Sequence, residues 1–438
     1  MSVHLAAAIA LACTWLALVW HTIRKVRSTR TAIRGKTDIA VIYASQTGTA
    51  SDMAQRTAEA LGTQRATLLP IDQVSPRHLL DYKAALFIAS TYGEGDPPDM
   101  AQAFYAQMLA STPGAPGLAH LEVGVLALGD SSYSHYCGFG RLLSQWLAQQ
   151  GARFLFDTVQ ADQCAPDALL DWQTHLTSHF AAHVNTDVRY AEWRLVRRCH
   201  MNPGSMGGAC YELALQPVDA RSLDWSAGDI AEIQIADTGV RREYSIASTP
   251  GEKELLLLVR QHAHAGGRIG LGSQWLTQAI EPGATLRLHI RRNTLFRVPI
   301  HACPAIFIGN GTGIAGLRSL LQARVEQAQY ENWLVFGERQ QTHDFHYGNQ
   351  FRAWQAGKNL QRLDLAFSRD QPQKHYVHHL LRDAAAALKD WVARGAVIYV
   401  CGSKNTMALD VDHALQDILG PQGYAELATQ GRYRRDVY

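Results

Sequence analysis

Ser45-Gln-Thr-Gly-Thr-Ala50, set between the apolar run Ile39-Ala-Val-Ile-Tyr43 and a helical stretch from Asp52 to Leu61, decides how the chain begins to fold. A short β-branched run, a polar loop and a helix-periodic stretch read as strand, loop and helix. The hydroxyls of Ser45, Thr47 and Thr49, with backbone amides at the helix start, can hold a phosphate dianion without a side-chain cation. The Gly-x-x-x-x-Gly-Lys of a nucleoside-triphosphate loop is missing. Taken alone, the hexapeptide is equally a polar turn with a helix cap. Two later segments tip the balance. The run Leu86-Phe-Ile-Ala-Ser90 leads into Thr91-Tyr-Gly-Glu-Gly-Asp-Pro-Pro98, and Val123-Gly-Val-Leu-Ala-Leu128 leads into Gly129-Asp-Ser-Ser-Tyr-Ser-His-Tyr-Cys137. Loops at the C-terminal ends of parallel strands converge on one crevice, so Tyr92 and Tyr133 can flank a flat ring above the phosphate loop.

These segments resemble the FMN-binding, flavodoxin-like module of the diflavin reductases, the family of cytochrome P450 reductase and the sulfite reductase flavoprotein subunit. The resemblance implies phosphate contacts from Ser45, Gln46, Thr47, Gly48, Thr49 and Ala50. It also implies ring stacking by Tyr92 and Tyr133, with Thr91, Gly93, Leu128 and Gly129 lining the same site. Asp162, after the run Phe154-Leu-Phe156, falls where the family places an acidic loop residue.

Composition bounds the rest. A chain of 438 residues, 47% hydrophobic and 18% charged, has room for two to three packed domains and is neither disordered nor fibrous. Its seven cysteines are scattered, without a Cys-x-x-Cys pattern, which argues against a zinc framework or a small disulfide scaffold. The formal charge is +2, yet Arg24, Lys25, Arg27, Arg30, Arg34 and Lys36 all precede Asp38, so the remainder is mildly acidic. That excludes a basic nucleic-acid-binding body and sets residues 1–36 apart. From Leu5 to Trp20 they are apolar except for Thr14, and the basic run follows rather than precedes them. We therefore expect an N-terminal transmembrane helix of a single-pass membrane protein, with the catalytic domains cytoplasmic.

Beyond an aperiodic hinge at residues 181–190 the pattern changes to short alternating segments: 209–215, 230–235, 254–260 and 285–290. Period two with turns between them predicts an antiparallel barrel over 191–301. In Arg242-Glu-Tyr-Ser245 an arginine that can grip a pyrophosphate shares a strand with an aromatic that can cover a ring. An edge strand with an arginine in water has the same look. Gly270-Leu-Gly-Ser273 before an apolar helical stretch is either a second anion site or an ordinary glycine turn. Together they resemble the FAD module of the same family, implying pyrophosphate contacts from Arg242 and from Gly270, Leu271, Gly272 and Ser273, and ring contacts from Tyr244 and Ser245. The large connecting segment that interrupts this barrel in the larger relatives has no counterpart here. Only Ala236-Asp-Thr-Gly-Val240 separates the strand after Gly228-Asp229 from Arg242.

Residues 302–438 open on Ala305-Ile-Phe-Ile308 and Gly309-Asn-Gly-Thr-Gly-Ile-Ala-Gly316, which contains the dinucleotide fingerprint Gly311-x-Gly-x-x-Gly316 and Thr312. Glu338, about 20 residues on, is positioned as a ribose-binding acid and would make the site NAD-specific. Against that reading, Ser368, Arg369, Lys374 and Tyr376 can receive a phosphate and stack an adenine. Their spacing is similar to the family's 2′-phosphate motif, which implies NADPH. The resemblance further implies that Ser245, Cys401 and Asp436 surround the flavin N5 and nicotinamide, that Tyr438 covers the flavin, and that Asp410 orients this site. Asn310 stands where relatives carry proline, and Gly316-Leu317 where they carry Pro-Phe. His375 and His379 share a helix spacing but lack an evident third metal ligand, so no metal is expected.

The expected protein is therefore an α/β and β-barrel multidomain oxidoreductase. A flavodoxin-like doubly wound sheet at 37–180 precedes a ferredoxin-reductase-like FAD barrel and an NADP-binding α/β domain. Electrons would pass from NADPH to FAD to FMN to a one-electron acceptor, with a haem protein as first choice. A sulfite reductase flavoprotein, a ferric-chelate reductase and a tethered flavin sensor are the alternatives.

Overall fold

The structure, a computed structural model, describes residues 37–438 except 93–94, 116, 132–133, 185–189, 220–223, 237, 239 and 263–268. Its contacts divide the chain into two compact units, one built on Met53–Thr186 with the first strand, the other on Asp187–Tyr438 together with Ser45–Asp52.

In the first unit, strands β1 (Ile39–Ala44), β2 (Ala66–Pro70), β3 (Ala84–Ser90), β4 (Glu122–Gly129) and β5 (Arg153–Phe154) form a sheet in the order β2-β1-β3-β4-β5. Strand β6 (Val159–Asp162) pairs with β4. All pairings are parallel. Helices Thr49–Leu61, Gln102–Ala110, Gly138–Gln149 and Pro166–Phe180 form the crossovers. Coverage on both faces explains why β1, β3 and β4 are near-continuous apolar runs rather than alternating ones. Asp162 closes β6, paired in register with Gly129, and does not follow a strand at 154–156 as the sequence suggested.

The second unit begins with an antiparallel ladder. Strands β7 (Ala191–His200), β8 (Cys210–Pro217), β9 (Ile230–Gln234), β10 (Arg241–Ser245), β11 (Leu255–Arg260) and β12 (Thr285–Arg291) run in the order β10-β9-β12-β7-β8-β11. A bridge between Ile246 and Leu257 joins the two outer strands and closes the barrel. Strand β7 is absent from the four segments picked out by alternation because Arg194, Arg197 and Arg198 dilute its apolar face, although Trp193 and Leu195 are fully buried. Strands β9 and β10 pair Gln234 with Arg241, and Ile235 N–H donates to Val240 O at 2.8 Å, so the chain turns here as a hairpin.

Strands β13 (Ala305–Asn310), β14 (Asn332–Glu338), β15 (Arg362–Phe367), β16 (Val397–Gly402) and β17 (Tyr433–Val437) form a parallel sheet ordered β15-β14-β13-β16-β17. Helix Ile314–Glu326 is the first crossover, and Leu409–Thr429 connects β16 to β17. One apolar cluster runs through barrel and sheet: Cys210, Ala247 and Leu256 share it with Phe307, Leu317, Phe336 and Tyr399. Phe307 stacks on Tyr399 at 5.1 Å, and Phe296 meets the same ring edge-on at 5.5 Å. A shared core of this kind makes the barrel and the nucleotide sheet a single packed body.

Among the described residues no helix is long and apolar enough to cross a membrane. The segment expected to do so, within 1–36, lies outside them.

Candidate flavin and nucleotide sites

The strand order of the first sheet reverses between β1 and β3, which creates a crevice at their C-terminal ends. Strand β1 delivers Ser45 and Gln46, both buried, then Thr47, Gly48, Thr49 and Ala50. Gly48, at φ +96°, donates its N–H to Ser45 Oγ at 3.0 Å and so curls the loop into the helix start. At the end of β3, Thr91 N–H donates to Leu128 O at 2.9 Å, while Thr91 Oγ1 is buried without a hydrogen-bond partner. A buried hydroxyl with no partner, at the switch point of a doubly wound sheet, is the signature of a polar ligand group and fits FMN. Tyr92 is locked to Asp96 by a reciprocal pair of 2.8 Å backbone bonds. Asp162 accepts from the N–H of Ser131 at 2.9 Å and from its hydroxyl, pinning the loop that follows Leu128 and Gly129. Gly93 and Tyr133 lie outside the described residues.

In the barrel, β10 alternates so that Arg242 and Tyr244 share one face. A Cβ on Gly272 would lie 2.6 Å from Arg242 Cγ. The glycine therefore lets the 270–273 turn seat on the arginine stem, which joins the two expected pyrophosphate elements. Ser273 departs from expectation. Its hydroxyl donates to Gly270 O at 3.0 Å and accepts from His262 N–H at 3.3 Å, so it ties the turn together, and the backbone of Leu271 and Gly272 remains to meet an anion. Burial pushes the Tyr244 phenol up to about 12, keeping it neutral.

The nucleotide sheet reverses between β13 and β16, and Ser245, Cys401 and Asp436, the residues expected around hydride transfer, gather there. Parallel pairing of β16 with β17 sets Cys401 opposite Asp436. Ser245 Oγ donates to Asp436 Oδ2 at 2.7 Å, and Cys401 Sγ lies 3.8 Å from the same oxygen. Burial raises the Asp436 carboxyl above the usual carboxylate range, against the lowering effect of the Ser245 hydroxyl and the Arg291 guanidinium. The Cys401 thiol is driven well up by burial and stays protonated. Arg291, which the sequence reading passed over, is buried at the end of β12 and pairs bidentately with Glu243.

The departures from the family pattern find physical reasons here. Asn310 Oδ1 accepts from Ser403 N–H at 3.1 Å and links the loops after β13 and β16. A Cβ on Gly316 would meet both Cys401 Sγ and Ser245 Cβ at 3.3 Å, so the small residue makes room for that pair. Tyr438 is held by its N–H to Gly402 O at 3.1 Å and by its phenol to Thr312 Oγ1 at 3.0 Å, while the residue as a whole is 59% exposed. An anchored aromatic on an exposed terminal residue suits a cover for a flat cofactor.

At the other side of the sheet, Ser368 N–H donates to Glu338 O and Arg369 N–H to Arg339 O, both at 2.9 Å. Ser368 is buried, whereas Arg369, Lys374 and Tyr376 are exposed. Asp410 meets His378 Nδ1 at 3.3 Å rather than the Ser245, Cys401 and Asp436 group it was expected to orient. His379 Nδ1 accepts from Tyr376 N–H at 3.1 Å, and its Nε2 lies 3.2 Å from His378 Nε2. His375 instead faces Asp383 at 3.6 Å. These histidines brace the Tyr376 turn. If Arg369 and Lys374 bind the 2′-phosphate, their joint replacement by alanine raises the KM for NADPH about 100-fold and leaves that for NADH within about threefold. Steady-state kinetics with both nucleotides, showing equal losses, would sink the assignment.

Comparison with known proteins agrees with the two parallel-sheet domains. Residues 41–173 match the Flavodoxin family and residues 307–413 the Oxidoreductase NAD-binding domain. The chain is 29% identical to the Sulfite reductase (NADPH) flavoprotein alpha-component of Vibrio cholerae serotype O1 over 549 residues, covering 94% of this chain and 89% of that protein. Proteins of the same name from Bacillus subtilis and Neisseria meningitidis are 26% and 28% identical, over 92% and 91% of this chain and 89% of each relative. Fold and matches together define a flavin-dependent NADPH oxidoreductase. These matches support the diflavin reductase family for this chain, with FMN, FAD and NADPH as its cofactors. An alignment of 549 residues exceeds the chain's own 438, so the relatives contain sequence that this chain lacks. The single-pass membrane localisation expected from residues 1–36 is corrected: among the described residues no helix can cross a membrane, and these relatives are named as sulfite reductase components.

Proposed function

We propose that this chain is the electron-supplying flavoprotein of a sulfite reductase, drawing on NADPH and delivering single electrons to a haem-containing partner. The observation that carries the reading is the end-to-end similarity to sulfite reductase flavoprotein alpha-components. A membrane haem protein as acceptor, favoured on the sequence, rested on the membrane anchor. When bound, the two flavins reconcile a two-electron hydride donor with a one-electron acceptor.

The protein's own part is position and charge. Residues 45–50 and Thr91 hold the FMN phosphate and ribityl chain. Arg242 and the 270–272 backbone hold the FAD pyrophosphate. Asp436 keeps the Ser245 hydroxyl at 2.7 Å with its proton directed to Oδ2, leaving the Ser245 lone pairs to meet the flavin edge. Cys401, a neutral thiol against the same carboxylate, shapes the nicotinamide pocket. Tyr438 shields that pocket and moves aside when the nucleotide enters. Residues 37–184 carry 14 acidic and six basic side chains, a surface suited to docking a basic partner.

The test combines the purified chain with a sulfite reductase haemoprotein and measures NADPH-dependent sulfide formation. Sulfide above the level made by either protein alone is expected. No sulfide, alongside intact NADPH-driven cytochrome c reduction, would point to another acceptor.

A further inference from the structure

In a sheet of this topology the residue ending the strand next to the fingerprint strand reads the adenosine ribose, and an acid there hydrogen-bonds a 2′-hydroxyl. Glu338 occupies that place, paired in register with Phe367, which directly precedes the turn that carries Ser368 and Arg369. A free carboxylate at this point favours NADH and repels a 2′-phosphate dianion. The Glu338 carboxylate is not free. Arg260, which ends β11 of the barrel, donates to Oε1, and the Arg339 backbone N–H donates to Oε2 at 2.6 Å. The pair lies beneath the fingerprint loop: a Cβ on Gly311 would be 3.6 Å from Glu338 Oε1 and 3.7 Å from Arg260 Nη1.

Glu338, Asp344 and His346 are also the one grouping among the described residues close enough to hold a metal ion. A guanidinium already stands there. Arg260 reaches Glu338 and lies 3.4 Å from His346 Nε2, while Asp344 is covered by Asn202 Nδ2 at 3.0 Å and Ser205 Oγ at 2.9 Å. The resident cation therefore comes from the barrel, and its effect falls on the nucleotide site.

We propose that Arg260 is a positioning residue for nucleotide selectivity: by holding and neutralising Glu338 it disables an NAD-type acid, so that Ser368, Arg369 and Lys374 can receive the 2′-phosphate of NADPH. The inference rests on the reading of residues 368–376 as the 2′-phosphate site. It makes selectivity depend on a contact between barrel and nucleotide sheet, two parts of one packed unit.

Calorimetric binding of 2′,5′-ADP and 5′-AMP to the full chain tests this without relying on turnover. Arg260→Gln is expected to weaken 2′,5′-ADP about tenfold or more while 5′-AMP changes by less than about threefold, because only the former carries the 2′-phosphate. Glu338→Gln should leave 2′,5′-ADP within about threefold of the parent, and Arg260→Gln/Glu338→Gln should recover to the same range. A double variant as weak as Arg260→Gln, or an Arg260→Gln variant with parental affinity, overturns the proposal. If Arg260→Gln does not fold because Glu338 is left buried and unpaired, the double variant still decides, since it lacks both charges and must keep the parental preference for 2′,5′-ADP. Arg369→Ala/Lys374→Ala serves as the control: unchanged 2′,5′-ADP binding there would refute the location of the phosphate site rather than the role of Arg260.

Discussion

Asp436→Ala is expected to lower NADPH-driven ferricyanide turnover about 100-fold with little change in KM, because it removes a buried charge that orients the reacting groups rather than a nucleotide contact. The geometry explains the size of the effect. Asp436 is 4% exposed, and its Oδ2 is the common partner of Ser245 and Cys401, so one substitution releases both. The same carboxyl gives a pH signature. Burial raises it above the ordinary aspartate range, so turnover that requires the carboxylate is lost on acidification at a higher pH than an exposed aspartate would give. The Ser245 hydroxyl opposes that rise, so Ser245→Ala shifts the acid limb to higher pH, and Asp436→Asn abolishes it. A Ser245→Ala profile with an unmoved acid limb would show that the hydrogen bond does not govern the titration.

Gly313→Ala is expected to abolish useful NADPH binding, raising the Kd for NADP⁺ at least about 30-fold, and to cost about 1–3 kcal/mol of stability in the second unit. Gly313 has ordinary helical dihedrals, φ −59° and ψ −20°, so conformational freedom is not what it supplies. Space is. An added Cβ would lie 2.2 Å from Cys401 O and 2.4 Å from Cys401 C, both backbone atoms of a central strand that cannot retreat. The fingerprint loop would have to lift from β16 and lose the register linking Thr312 to Tyr438 and Asn310 to Ser403. Calorimetry with NADP⁺ and thermal unfolding separate the two effects. Parental affinity and stability together would contradict the close packing of loop on strand.

Much of this was legible in the sequence because it is local. The loop 45–50, the Arg242-x-Tyr-Ser245 strand and the 309–316 fingerprint each sit where a short periodic run meets glycine and hydroxyl residues, and the structure forms a strand or turn at each. Contacts between distant segments were not legible. Gly431-Arg-Tyr-Arg-Arg-Asp-Val-Tyr438 reads as a charged terminus, yet 433–437 is a strand whose register alone sets Asp436 beside Cys401. The pairing of Arg291 with Glu243 depends on barrel strands distant in sequence, and the capture of Glu338 by Arg260 from 78 positions away depends on the barrel packing against the nucleotide sheet; no local pattern encodes either. The bonds of the Ser273 hydroxyl within its own turn were not legible for the opposite reason: a side chain that suits a ligand also suits its own turn.

The central claim is that one chain joins an FMN site to an FAD site fed by NADPH. Flavin extraction from the purified protein, followed by anaerobic NADPH titration in the flavin absorbance bands, tests it most directly. The account predicts two flavins per chain, FMN and FAD in equal amounts, both bleached by NADPH. Fewer than two flavins per chain, or flavin absorbance that NADPH leaves unchanged, would contradict it.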